Sequence, residues 1–268
     1  MKLASIHVYP LKGARGISLD RATARTGGLL HDRRFLLLDA EGRFVTQRAH
    51  PKLALVTTAI TDSSLALTTP GGGSVEIPLS PTSAGGRRVV RIWDDDVEAT
   101  DVGGPAAELL SDHLGERCSL VFMPDDVVRP VEAPHGAPGD RVGFADAYPY
   151  LLATMASLAD LNARLAEPVP MDRFRPNFVI QGGAAFDEER YGRVRIGTLV
   201  FRMPKRCARC QVTTVDQATA VVSKEPLRTL ASYRTEDNKV YFAQNMIPDA
   251  QGTLAVGDVV EYFEPRVS

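Results

Sequence analysis

The chain swaps apolar and turn-forming residues every few positions, and this limits what it can fold into. KLASIHVY, RFLLLD, RFVT, LALVTTAI, SVEIPL, RRVVRIW and CSLVFM are short apolar or alternating runs. DAEG, TPGGG, PTSAGG and WDDD cut them apart with Gly, Pro and Asp. Runs of this length, rich in β-branched residues and closely spaced, predict a mainly β protein of barrel or sandwich type. Helix signals are few. PAAELLSDHLG has Pro105 in a first-turn position, Leu109, Leu110 and Leu114 at helical spacing, and Gly115 to stop it. TMASLADLNARLAEP places Leu158, Leu161 and Leu165 on one face and stops before Pro168. EPLRTLASYR predicts a third helix, with Leu227, Leu230 and Tyr233 on one side.

The 268 residues suit one large domain or two small ones. The stretch from Pro124 to Gly143 is rich in proline and acids and lacks aliphatic periodicity, so it reads as a linker or a long loop over a site. It divides the chain into 1–123 and 124–268. A net charge of −2 gives no general pull towards nucleic acid or an anionic membrane, so any positive site must be local. No apolar run approaches the roughly 18 residues that cross a bilayer. MKLASIHVYPLKG reads as a strand rather than a secretory leader, and the expected location is the cytoplasm.

RCARCQVTTVD, residues 206–216, carries the chemistry. Structural zinc needs four closed ligands, and only Cys118 and five histidines without paired spacing remain. Iron–sulfur clusters need four cysteines. A thioredoxin-type dithiol places its first cysteine at a helix start, whereas QVTTV favours a strand. An inert buried pair is the plain alternative. Against it, Lys205, Arg206 and Arg209 crowd the pair, and cationic surroundings favour the metal-binding thiolate form.

FRMPKRCARCQVTTVDQATA resembles the cysteine segment of MOSC domains, the molybdenum-cofactor sulfurase C-terminal family. HVYPLKGARGISLDRA and GLLHDRRFLLLDAEGRFVTQRAHPKLALV resemble the β-barrel domain that precedes MOSC in the mitochondrial amidoxime reducing component and its bacterial relatives. FADAYPYLLATMASLADLNARL, PMDRFRPNFVIQG, SKEPLRTLASYR and LAVGDVVEY resemble the MOSC domain itself. The resemblance covers nearly the whole chain in order. It implies an N-terminal MOSC-type β-barrel packed on a C-terminal MOSC β-barrel, with a molybdenum cofactor in the cleft between them. Cys210 matches the metal ligand and Cys207 a neighbour. One protein thiolate then suffices, because the pterin dithiolene brings two more sulfurs. Lys12 and Arg33 match basic cofactor contacts from the first domain, and Arg175 and Asn177 contacts from the second. Asp146 matches a polar position able to accept from the pterin and is the candidate catalytic acid beside Cys210. Thr213 and Thr214 match hydroxyls close to that cysteine. The plain alternatives are a solvated Arg33, an Arg175 paired with Asp172 or Asp187, and Asn177 as a turn residue after Pro176.

The chain departs from the family pattern at Gly13, Ala147, Tyr148, Ala220 and Ala243, the last two where relatives usually carry glycine. The resemblance implies an oxidoreductase that reduces N-hydroxylated compounds: hydroxylamines, amidoximes and N-hydroxylated bases. With no four-cysteine segment in this sequence, electrons are expected from a separate flavin reductase, ferredoxin or cytochrome b5-like partner. A cofactor carrier or sulfur-transfer protein is the alternative, and a non-redox binding protein with an inert cysteine pair is a third.

Overall fold

The computed structural model describes residues 1–82 and 86–266. Part of the PTSAGG turn stretch therefore lies outside the described residues, as do Val267 and Ser268. The mainly β expectation holds: twenty strands and three α-helices occur among the described residues. A ten-stranded sheet carries the site. Its path runs through the strands Ile17–Leu19, Lys2–Val8, Phe178–Gln181, Tyr150–Thr154, Lys239–Pro248, Leu199–Arg202, Tyr191–Ile196 and Val260–Pro265. Arg206–Arg209 and Thr235–Glu236 pair laterally with the long Lys239–Pro248 strand.

The pairing ignores distance along the chain. Lys2–Val8 lies antiparallel to Phe178–Gln181, and Arg21–Arg25 lies antiparallel to Gly252–Ala255. The first pairing weaves Lys2–Val8 into the large sheet, built mostly from the second half, and the second makes a separate small sheet. Tyr150–Thr154 runs parallel to Phe178–Gln181. Parallel neighbours require a crossover, and the helix Met155–Asn162 supplies one, capped by the Thr154 hydroxyl on the Ser157 amide. Leu158 and Leu161 of that helix are buried as expected, while Leu165 lies beyond its end and packs on the same core.

The closed-barrel expectation is corrected. The ladders run as open sheets, and an isolated bridge between Lys2 and Val259 brings the two ends of the large sheet together. Backbone bonds from Leu3 N–H to the Asp258 carbonyl (2.9 Å) and from Val260 N–H to the Met1 carbonyl (2.9 Å) flank that bridge. Twist and curvature bring the edges together, but the pairing there is too short to form a ladder. Beneath this sheet, Leu3, Ile6, Phe178 and Phe201 form one core, with Tyr150 stacked on Phe178 at 5.5 Å.

Two of the smaller sheets lie within the first half, and the third joins Gly252–Ala255 to Arg21–Arg25 and Gly28–Leu29. Phe35–Leu38, Ser119–Phe122, Asp95–Asp101 and Arg87–Ile92 form four strands in that order. The FLLL strand is buried along its full length, which explains its unbroken apolar run. The helix Gly104–Leu114 covers a neighbouring core through Ala106 and Leu110 and ends on the left-handed Gly115 (φ 73°). The third expected helix is short, Leu227–Ala231, and buries Leu230.

Two departures from the family pattern have a backbone cost. Ala243 (φ 73°) and Ala220 (φ 60°) both sit in the left-handed region. Ala243 lies where the pairing between Arg206–Arg209 and Lys239–Pro248 slips register. A Cβ there disfavours the conformation that glycine adopts freely. Ala220 is half-buried, so losing its methyl forfeits little packing. Ala220→Gly should raise stability by about 0.5–1 kcal/mol after the entropy cost of glycine in the unfolded chain. Denaturant unfolding of the two proteins reads this directly, and a lower midpoint for Ala220→Gly would refute the strain.

Candidate functional site

A cleft of about 170 Å3 opens where several strand ends meet. Lys12 and Arg33 line it from the first half, Asp146, Arg175 and Asn177 from the second, and Cys207 and Cys210 close one end. Six of the eight residues singled out from sequence, Cys210 among them, therefore share one cleft. The other two, Thr213 and Thr214, are buried and turned away from it. Their hydroxyls donate to the carbonyls of Cys210 (3.0 Å) and Gln211 (2.7 Å).

Those hydroxyl bonds explain another correction. QVTTV was expected to be a strand, but Gln211–Thr214 forms a 3-10 turn directly after Cys210. Threonine hydroxyls bonding back onto local carbonyls offer the backbone an alternative to a ladder, and here they outweigh β-propensity. The strand Arg206–Arg209 delivers the cysteines to the cleft, and Cys210 is exposed there. Cys207 is half-buried and accepts a hydrogen bond from Arg209 Nη1 at 2.9 Å. Arg209 also donates to the Phe174 carbonyl (2.9 Å), while its Nε is buried without a partner.

Tyr9 organises the cationic side. Its ring is buried, with the guanidinium carbons of Arg33 at 4.5 Å and Arg175 at 4.4 Å from its centroid. Burial pushes its phenol up to about 12, so it stays protonated, and it donates to the Pro176 carbonyl at 3.0 Å. Gly16 is required beneath it, since a Cβ there would lie 2.5 Å from the ring. Arg33 is not a solvated surface arginine. It pairs with buried Asp32, whose other oxygen accepts from the Tyr9 amide at 2.7 Å, and it donates to the Arg175 carbonyl at 3.2 Å. Both arginines have left-handed backbones, at φ 48° and 54°.

Arg175 is different. It pairs with neither Asp172 nor Asp187, and among the described residues it forms no ion pair. Its Nη1 donates to the Gln217 side chain at 3.1 Å. Burial lowers its pKa to about 10. This cation lacks a carboxylate and faces a cleft, an arrangement that suits an anionic ligand.

Asn177 is a clip more than a free donor. Its side chain donates to the His7 carbonyl (3.1 Å) and accepts from the Leu151 amide (3.2 Å), joining three neighbouring strands at their cleft ends. Lys12 is nearly enclosed, its side chain 11% exposed, and donates to Asp146 Oδ1 at 2.5 Å and to the Phe144 carbonyl at 2.8 Å. Gly13 follows with φ 88°, and a Cβ there would meet Leu53 at 2.5 Å, so the departure at that position has a steric reason.

Several residues that shape the cleft gave little sequence signal. Gln47 and Gln217 exchange reciprocal amide bonds at 3.0 and 2.9 Å across 170 positions, and Gln47 also donates to the Gly13 carbonyl. Arg129, in the proline-rich stretch, pairs with Asp95 at 2.6 Å. It donates to the carbonyls of Gly143, Ala145 and Asp146, thereby holding the loop that presents Asp146. A lone glutamine or a loop arginine carries no periodicity, so only the tertiary contacts reveal these roles.

The surrounding cleft partly desolvates Asp146, which works to raise its pKa, but the Lys12 ammonium outweighs this and holds it well below the usual carboxylate range. It is therefore ionised at neutral pH and accepts hydrogen bonds rather than supplying protons, which revises its expected role as an acid. A depressed native pKa stabilises the fold above the unfolded carboxylate value, and the stabilisation fades as pH falls towards the native value. With the Asp146 side chain 67% exposed, solvent screening limits its contribution to about 0.5–1 kcal/mol. Asp146→Asn should lose that amount at pH 7, with the gap narrowing as pH falls towards 3. A gap that widens on acidification, in urea titrations of both proteins, would contradict the pairing.

Comparison with known proteins agrees with this layout. A MOSC N-terminal beta barrel domain matches residues 1–117, and a MOSC domain matches residues 139–261. The chain is 32% identical to mitochondrial amidoxime-reducing component 1 of Homo sapiens, covering 96% of this chain and 82% of that protein. It is 33% identical to the Mus musculus protein of the same name, over 96% and 81%. The Danio rerio counterpart is 35% identical, over 87% and 74%. With both domains present in order, the chain belongs to the MOSC-domain family, and mitochondrial amidoxime-reducing components are among its relatives.

Proposed function

We propose that the cleft binds a molybdenum cofactor through Cys210. We further propose that the protein reduces N-hydroxylated compounds to amines with electrons from a separate redox protein. The observation that carries this reading is the pairing of two opposite demands in one cleft. Cys210 presents an exposed soft sulfur, and Arg175 presents a cation without a carboxylate. A ligand that joins a thiophilic metal to an anionic tail satisfies both. The orphaned Nε of Arg209 beside the cysteines is a further unmet donor.

When bound, the cofactor would supply two-electron chemistry that no side chain offers. The residues do the rest. Cys210 would hold the metal. Arg175, steadied by Gln217, and Arg33, neutralised by Asp32, would hold the anionic portion. Lys12 keeps a proton at Nζ: two of its three donors are spent on Phe144 and Asp146, and one is left over. Asp146, ionised, would accept from an N–H group of cofactor or substrate. In the overall reaction the N–O bond breaks, two electrons and two protons are taken up, and water leaves. The electron donor is proposed to be a flavin reductase, ferredoxin or cytochrome b5-like protein. Of the described residues, no helix is long and apolar enough to cross a membrane.

Elemental analysis tests the binding step. Protein made in a host that assembles the cofactor should carry near-stoichiometric molybdenum. Cys210→Ala should lose it, and Arg175→Gln should retain less. Reduction of benzamidoxime with a chemical electron donor then separates a reductase from a carrier, since a carrier would hold the metal without turnover. Wild-type protein devoid of molybdenum would sink the proposal.

A further inference from the structure

Trp93 is the chain's one tryptophan, and it occupies an improbable place. Ile92 and Asp95 pair across the hairpin, so Trp93 and Asp94 form a two-residue turn. Trp93 has φ 55°, in the region that such turns normally give to glycine or asparagine. The residue is 42% exposed, so burial does not explain it. Bulky residues persist in this conformation only where their surroundings hold them, and such positions cluster at functional sites.

The contacts of Trp93 lead into the cleft. A parallel bridge between Arg43 and Arg91 brings the following residue, Phe44, against the hairpin tip. Phe44 meets the indole edge-on at 5.1 Å, and the Arg48 guanidinium lies 4.8 Å from the indole centroid. Arg48 lines the cleft. Its neighbour Gln47 is locked by the amide pair with Gln217, which fixes where Arg48 leaves the backbone. Among the described residues Arg48 forms no ion pair, and no hydrogen bond of its side chain occurs. Its charge nevertheless acts on Asp146. A guanidinium held over a ring without an ion pair or side-chain hydrogen bond has its N–H donors free for a planar or tetrahedral oxyanion.

We propose that Arg48, braced by Trp93, is the specificity-determining residue of the cleft and receives the carboxylate or phosphate of an anionic N-hydroxylated substrate. The proposal rests on the reductase reading above. Arg33 and Arg175 lie against buried Tyr9, whereas Arg48 lies against a solvent-exposed ring. The bland alternative is a solvated arginine, and it leaves the left-handed tryptophan without a reason.

Trp93 is also the probe. Molybdenum-loaded protein is titrated with benzamidoxime and with para-carboxybenzamidoxime, following tryptophan emission, and calorimetry repeats the titrations on the variants. The wild type should bind the carboxylate about tenfold more tightly than the neutral compound, the scale of one charge-assisted contact. Arg48→Gln should abolish that preference with molybdenum content unchanged. Trp93→Asn, which suits the turn, should weaken the preference while melting no lower than the wild type. Equal binding of the two compounds by the wild type overturns the proposal, as does a preference that survives Arg48→Gln. Molybdenum loss in Arg48→Gln also overturns it, by assigning Arg48 to the cofactor. Preferential binding without turnover of either compound would fail the reductase reading alone, and turnover without preference would fail this one alone.

Discussion

The site depends on keeping two arginines side by side against one buried ring. Arg33 and Arg175 repel each other, and neither would choose a left-handed backbone unaided. Tyr9 offers its ring to both, Asp32 neutralises one, and Gln217 orients the other. Among the described residues, one positive charge is left without a carboxylate in a concave setting. That residual charge makes the cleft a place for an anion rather than a filled gap in the core.

The rest of the architecture serves this arrangement by joining distant segments. Tyr9 follows the Lys2–Val8 strand, whose partner Phe178–Gln181 follows Arg175 and Asn177. Asn177 clips His7 and Leu151 together, so the strand ends carrying the cations cannot separate without breaking buried hydrogen bonds. The Gln47–Gln217 amide pair does the same between the first-half wall and the segment after the cysteines. Buried amide pairs of this kind are costly to leave half-made, so they fix register as well as adding stability.

The cations of the cleft are held against different supports. Against Tyr9 lie the two arginines, beside them the Lys12–Asp146 pair, and at the tryptophan-backed wall Arg48. The thiols stand at the end formed by the Arg206–Arg209 strand, next to Arg209. Arg129 keeps the Asp146 loop in place from within the proline-rich stretch, so that stretch carries part of the site's support rather than merely linking two halves.

Much was legible from residues alone. Alternation of short apolar runs with Gly, Pro and Asp identified a mainly β protein, because strand and turn preferences act over a few residues. Pro105 with Gly115 and the spacing of Leu158 and Leu161 located two helices for the same reason. RCARC among cations marked a segment that lines the cleft, because thiols beside positive charge are a property of side-chain type. Other features were decided only in three dimensions. The QVTTV turn arose when threonine hydroxyls met nearby carbonyls. The pairing of Lys2–Val8 with Phe178–Gln181, the contact of Arg175 with Tyr9 and the Gln47–Gln217 bond join residues more than a hundred positions apart. No local propensity encodes such contacts; they exist because packing both faces of the sheet favours the register in which Asn177, Gln47 and Gln217 find their partners.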